Sequence, residues 1–324
     1  MRTARIGVLE VSTLGLGCNN FGRGLDPDGT RAVVRAALDA GVTFFDTASN
    51  YGGGRSEDYL SRALGPHRSR VVIATKFGTP VPGRDDSGGA APSYIERMVE
   101  RSLRQLRTDY IDLYQLHRPD PRTPIEDTLE TLAGLVEKGK VRQIGCSNLD
   151  ASQLAEALAI SSGRGFPRFV ADQVHYSLIH RDPETDGLAE VCRAHNVGLV
   201  PYYPLAVGLL TGKVRPGERP GGRIGMERYR TFLTPENFAV VERLRVYARD
   251  RGLTPAQVAL GWLMSRPEVP TVPAGAMTPE QLRSNLGAAE WEPTPEDLSE
   301  LDRLSRRSEG HGGADAAPEG PPAP

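Results

Sequence analysis

The chain has 324 residues, 25% of them charged and 39% of hydrophobic types, with a formal net charge of -2. This is ordinary composition for a soluble globular protein, long enough for one large domain or two average ones, and its near balance of charge gives no field that would attract nucleic acid or a membrane surface. The opening MRTARIGVLEVS lacks an apolar core of signal-peptide length, no apolar run approaches the roughly 20 residues of a membrane helix, and Cys18, Cys146 and Cys192 are too dispersed for a disulfide framework or zinc site. A cytoplasmic protein with free thiols is expected.

Short apolar or β-branched runs then alternate with amphipathic stretches. TLGLG (13–17) precedes a helix predicted over 28–40, and TFFDTA (43–48) precedes one over 56–63. VVIATK (71–76) is followed by 93–106, IDLYQLH (111–117) by 124–138, and VRQIGCSN (141–148) by 150–160. FVADQVHY (169–176) leads to 187–195, GLVPYYP (198–204) to 236–250, and VPTVPAG (269–275) to 279–287. Eight strand–helix units in regular order predict parallel strands with right-handed crossovers, closed into an α/β (β/α)8 TIM barrel. The competing open, doubly wound sheet is disfavoured because LGLGCNNFG has Asn20 where a dinucleotide-binding turn needs its third glycine.

Local signals agree. Thr254-Pro255 starts a short helix with proline at its first position, Asp150 and Gln153 have capping-box spacing, and Gly139 follows Glu137-Lys138 as a left-handed stop. Long loops at 78–92 and 205–234 follow strands and so belong at the C-terminal face, where barrels of this kind build their sites. A single barrel domain is predicted over 1–307, followed by a disordered tail over 308–324 with almost no apolar side chains.

Polar residues recur at or just beyond the strand ends: Asp46 and Tyr51, Lys76, His117, Ser147 and Asn148, and Gln173. A barrel gathers these ends around one mouth. Asp46, Tyr51, Lys76 and His117 have the residue types needed to deliver a proton to a carbonyl oxygen as hydride reaches its carbon. A phenol is a weak acid on its own, with a pKa of about 10. A lysine cation beside it favours the phenolate, an aspartate holds the lysine charged, and a neutral histidine can orient the substrate oxygen. Each residue alone has a plain structural reading, as a cap, a packed aromatic or a solvated cation; their convergence carries the chemistry. No His-x-His pair occurs among His67, His117, His175, His180, His195 and His311, and no metal is expected.

LGLG (14–17), FFDTASNYGGGRSE (44–57), ATKFG (74–78), SLRQLRTDYIDLYQLHRPD (102–120), GKVRQIGCSN (139–148), QVHYS (173–177), PLAVGLLTGK (204–213) and PEQLRSNLGA (279–288) together resemble the aldo-keto reductase superfamily over about residues 10–290. The resemblance implies a (β/α)8 barrel that binds an extended nicotinamide cofactor without a Rossmann domain, with Tyr51 as general acid and Asp46, Lys76 and His117 as partners. It implies that Ser147, Asn148 and Gln173 bond the carboxamide and that Tyr202 stacks on the nicotinamide. Tyr203, Pro204, Leu205 and Ala206 would run along the pyrophosphate, with Gly208 and Lys213 continuing that loop. Gly275, Gln281 and Asn285 match the adenine end.

Two departures stand there: Met277 where the family commonly places a cation or hydroxyl for the 2′-phosphate, and Ser284 where it usually has glutamate. NADPH is the family's usual partner, and NADH stays open. A basic stretch of Lys213, Arg215, Arg219, Arg223, Arg228 and Arg230 offers a substitute phosphate contact. The implied activity is reduction of a small aldehyde or ketone to an alcohol. The alternatives are an NAD(P)+-dependent dehydrogenase of a sugar or polyol, and a cofactor-binding regulatory protein with slow turnover. Asn19, Asn20, Phe21, Tyr94 and His175 are candidates to line the pocket. No feature of the sequence sets an oligomeric state.

Overall fold

The computed structural model describes residues 1–83, 87–218 and 220–306. The expected tail at 308–324 and Arg219 lie outside the described residues. A two-stranded antiparallel hairpin, β1 (Thr3–Ile6) and β2 (Leu9–Ser12), comes first. Eight parallel strands follow: β3 (Leu14–Gly17), β4 (Phe44–Asp46), β5 (Val72–Phe77), β6 (Ile111–Leu116), β7 (Val141–Ser147), β8 (Phe169–His175), β9 (Gly198–Tyr202) and β10 (Val272–Gly275). Their order in the sheet is β10-β3-β4-β5-β6-β7-β8-β9, so the last strand returns to pair with the first of the eight. β9 and β10 lie side by side at the seam, where the Leu199 N–H donates to the Glu268 carbonyl at 2.7 Å. This is the nearly closed (β/α)8 barrel that the alternation predicts.

The helices between strands are α1 (Pro27–Asp39), α2 (Ser56–Leu64), α3 (Pro92–Leu106), α4 (Ile125–Glu137), α5 (Ala151–Arg164) and α6 (Leu188–His195). α7 (Pro235–Asp250) and α8 (Pro255–Met264) both precede β10, and α9 (Pro279–Leu286) and α10 (Pro295–Ser305) follow it. Their start signals act as the sequence implies. Asp150 and Gln153 form a reciprocal capping box on α5, as do Thr254 and Gln257 on α8. Gly139 takes φ 71° just past α4, freeing Lys140 N–H to reach the Leu135 carbonyl.

Two hydrophobic clusters hold the layers. A large one fills the space between strands and helices. A smaller one inside the barrel joins Phe44, Val72, Ala74, Leu113, Val170 and Val200 to Ile6, Leu9 and Val11 of the hairpin. The hairpin therefore plugs the N-terminal end of the barrel, leaving the C-terminal ends of the strands as the accessible mouth. Among the described residues no helix is long and apolar enough to cross a membrane, no acidic or thiol–imidazole group is arranged to hold a metal, and all three cysteines are buried and unpaired.

Candidate active site

Three strand ends, those of β4, β5 and β6, bring the four proton-handling residues together. β5 is buried at all six residues, and its Lys76 side chain has no exposure. From there the Lys76 ammonium donates to Asp46 Oδ1 at 2.7 Å, the Thr47 carbonyl at 2.8 Å and the Tyr51 hydroxyl at 3.4 Å. Asp46 ends β4, and Tyr51 opens a 3-10 turn just beyond it. His117 follows β6 and meets the Tyr51 ring edge-on, with centroids 5.9 Å apart. The His117 Nδ1 is buried with no hydrogen-bond partner among the described residues.

The Tyr51 turn is fixed from both sides. Gly52 has φ 60°, and a Cβ there would lie 2.0 Å from the Phe21 carbonyl oxygen, so only glycine lets the two backbones approach. Arg55 donates to the Gly52 carbonyl at 2.9 Å and to that of Gly22. Arg101 of α3 donates to the Ser49 carbonyl at 3.1 Å and the Gly54 carbonyl at 3.0 Å, and pairs with buried Glu57 at 3.3 Å.

Burial, with the Asp46 carboxylate adding to it, pushes the Tyr51 phenol well above its ordinary range; the Arg223 guanidinium opposes this. The expected direction, downward under the lysine, is thus reversed in the free protein, because removing water from a phenolate outweighs one cation. Burial also lowers the Lys76 ammonium from its ordinary value, with Asp46 acting against it. His117 is pushed well below the usual imidazole range by burial and by the cations of Lys76 and Arg118, so its ring is neutral.

A second group adjoins the first. Gln173 Nε2 donates to Asp46 Oδ1 at 3.0 Å, so one carboxylate oxygen serves both Lys76 and Gln173. Ser147 Oγ donates to the Gln173 carbonyl at 2.6 Å, and Asn148 Nδ2 donates to Ser147 Oγ at 2.9 Å and the His117 carbonyl at 3.1 Å. The Tyr202 hydroxyl donates to Asn148 Oδ1 at 2.8 Å. Amide and hydroxyl groups of both polarities and a half-buried aromatic ring share one wall, a donor set that fits a carboxamide on a flat heterocycle.

The third group is more dispersed. Pro204, Leu205 and Gly208 lie in a turn where Tyr203, Ala206 and Val207 have φ of 55°, 47° and 57°. Left-handed backbone at a β-branched residue is an outlier of the kind that gathers at ligand sites. Lys213 is exposed farther along. At the other edge, Met277 N–H donates to Gln281 Oε1 at 2.8 Å and Asn285 Nδ2 to the Gly275 carbonyl at 3.4 Å.

Of the pocket candidates, Phe21 is fully enclosed and Tyr94 only 4% exposed, so both serve the core. His175 stands at the rim between His180, stacked at 3.6 Å, and Tyr202 at 5.4 Å. The sequence reading passed over the Thr47 carbonyl, which carries no residue-type signal, and Tyr229 and Arg23, which only the folded loops bring near.

The Aldo/keto reductase family matches residues 13–306. The chain is 35% identical to a probable aldo-keto reductase 1 of Glycine max, covering 90% of this chain and 85% of that protein. It is 33% identical to an L-glyceraldehyde 3-phosphate reductase of Escherichia coli O157:H7, covering 86% and 84%, and 33% identical to a probable voltage-gated potassium channel subunit beta of Arabidopsis thaliana, covering 91% and 93%. With a barrel of this topology and a match across nearly its whole length, the chain belongs to the aldo/keto reductase family of carbonyl-reducing oxidoreductases.

Proposed function

We propose that the protein reduces an aldehyde or ketone to an alcohol with a reduced nicotinamide cofactor, NADPH in the first instance, and that Tyr51 donates the proton. One observation carries the reading: a single dry ammonium, Lys76, joins the Asp46 carboxylate at 2.7 Å and the Tyr51 hydroxyl at 3.4 Å, beside a neutral imidazole. The cofactor supplies hydride to the carbonyl carbon. A substrate carbonyl oxygen between Tyr51 and His117 accepts hydrogen bonds from both. As negative charge grows on that oxygen it takes the Tyr51 proton, and the Lys76 cation stabilises the phenolate left behind. Asp46 keeps Lys76 charged and aimed. His117, whose neutral ring donates its one N–H as a hydrogen bond but is too weak an acid to give it up, orients the substrate rather than supplying the proton.

Ser147, Asn148 and Gln173 are assigned to the carboxamide, and Tyr202 to the face of the nicotinamide. The strained turn holding Pro204, Leu205 and Gly208, with Lys213 beyond it, is assigned to the pyrophosphate, and Gly275, Gln281 and Asn285 to the adenine end. Tyr51→Phe keeps the ring and removes the proton. Its turnover of a simple aldehyde should fall at least a thousandfold, while NADPH affinity, read by fluorescence titration, stays within about threefold. Retained turnover would sink the mechanism.

The relatives named as potassium channel beta subunits favour a second reading, a cofactor-binding regulatory protein. Sustained multi-turnover loss of NADPH absorbance with an aldehyde argues for the catalyst; a single slow turnover argues for the regulator.

A further inference from the structure

Three near-parallel rings, with His175 in the middle, stand beside the wall assigned to the nicotinamide. His175 ends β8, Tyr202 ends β9, and the two are paired across the strands. Their side chains therefore leave the sheet on one face, close enough for rings to meet. The His175 and Tyr202 planes differ by 13° with centroids 5.4 Å apart, and the His175 and His180 planes by 11° at 3.6 Å. Tyr203 and Phe232 meet His175 at steep angles, at 5.7 and 5.6 Å. His180 is folded back onto this group by a tight turn. The Ser177 N–H donates to the His180 carbonyl at 2.9 Å, and the His180 N–H to the Ser177 carbonyl at 3.1 Å. Asp182 Oδ2 lies 3.5 Å from His180 Nε2 on the outer side.

The Tyr202 ring needs such a support. Its hydroxyl donates to Asn148 Oδ1 at 2.8 Å. That oxygen lies on the axis about which the ring turns, so the bond anchors the tip and leaves the tilt free. Rotation about this axis is soft for aromatic side chains. A contact on the ring's face sets the tilt, and among the described residues His175 is the one aromatic ring stacked there, while Tyr203 meets Tyr202 at 89° and 5.1 Å. The His175 Nε2 takes no part in holding its ring, being buried with no hydrogen-bond partner. Burial and the neighbouring His180 push the His175 imidazole down to about 3, so it stacks as a flat, uncharged plate.

We propose that His175, braced by His180, is a positioning residue that fixes the tilt of Tyr202 and, through it, the plane of the nicotinamide ring. The proposal rests on the assignment of Tyr202 to that ring. The tilt of the plane sets how the transferred hydrogen points at the carbonyl carbon, and small errors in such an angle cost turnover more than binding.

Calorimetric titrations of NADPH and of 2′-phospho-ADP-ribose, the same molecule without its nicotinamide, read the two ends of the cofactor separately. An aromatic stack contributes about 1 kcal/mol, or about fivefold. His175→Ala should therefore weaken NADPH about fivefold and leave 2′-phospho-ADP-ribose within twofold. With a simple aldehyde, kcat should fall at least tenfold while KM rises less than threefold. His175→Phe keeps a flat ring without the nitrogens and should bring NADPH affinity and kcat back to within twofold of the parent. His180→Ala removes the brace from a half-buried position and should give a smaller loss of the same kind.

Tyr202→Ala separates this proposal from the assignment beneath it. If Tyr202→Ala leaves the ratio of the two affinities unmoved, Tyr202 does not carry the nicotinamide, and assignment and proposal fall together. If Tyr202→Ala lowers that ratio but His175→Ala does not, or if His175→Ala weakens both ligands alike, the positioning role alone falls. It falls also if His175→Phe, with unchanged circular dichroism, restores neither quantity, since the nitrogens rather than the ring face would then matter, or if His180→Ala matches the parent throughout.

Discussion

Lys76 and Asp172 show two ways a single buried charge is handled. The Lys76 side chain is fully enclosed, and its ammonium is held by three oxygens, one of them a carboxylate. Asp172 of β8 is equally buried, and burial raises its carboxyl to about 8, so it is protonated at neutral pH. The sign of the resulting pH effect follows. In the unfolded chain the group titrates near 3.9, so the folded state binds the extra proton between there and about 8. Its contribution to stability is complete below the lower value and is lost as pH rises through the upper one. Asp172→Asn stays neutral throughout. Its melting temperature relative to the parent should therefore climb steadily from pH 4 to pH 8; a constant difference would show that Asp172 does not titrate in this way.

At the level of elements, the Tyr51 turn is clamped by α3. Arg101 holds the carbonyls on either side of the turn while neutralising Glu57, whose other oxygen accepts from Thr75 at 2.7 Å. Removing one partner of a buried pair costs about 3–5 kcal/mol, largely because the other charge is stranded. Arg101→Met should show a loss of that size in denaturant melts, and kcat should fall more than KM rises. Adding Glu57→Gln should restore much of the stability but not kcat, since the two carbonyls stay unheld; full recovery of kcat would place Arg101 outside the positioning of Tyr51.

Elements of this kind differ in how legible they are. The eight barrel strands are mostly buried runs bounded by polar or glycine residues, so composition reveals them, and Asp150-Gln153 and Thr254-Pro255 mark the starts of their helices by chemistry at fixed spacing. The hairpin was missed because four-residue strands in ARIGVLEVS give too short a period to read. α10 was missed although Thr294 and Asp297 form a capping box at its start. Tyr51, Asp46, Lys76 and His117 could be grouped because each stands at or just past a strand end. Arg23 could not be grouped with them, because its neighbours Arg223 and Arg228 arrive from about 200 residues away on an irregular loop, and charge on a loop has no period.

For the molecule as a whole, buried titrating groups set a pH window. His117 is held well below the imidazole range and His175 is pushed down to about 3, in both cases chiefly by burial. Below about 6.5 the unfolded chain binds protons at both positions that the folded chain refuses, so stability falls as pH drops. The two histidines together outweigh the opposite slope from Asp172. Thermal stability should peak between about pH 6 and 7, and His175→Phe, which keeps a ring in the stack with His180 and Tyr202, should flatten the acid side. Melts from pH 4 to 8 that show no acid decline would contradict this.

The contact at Gly52 has a wider consequence. Arg55 grips the Gly22 and Gly52 carbonyls with one guanidinium, and the Phe21 carbonyl fills the space a side chain on Gly52 would need. The segment bearing Arg23 and the turn bearing Tyr51 are thus a single mechanical part, joined through main-chain atoms. A substitution that adds a side chain at Gly52 would therefore disturb the loop after β3 and the turn that holds the phenol together.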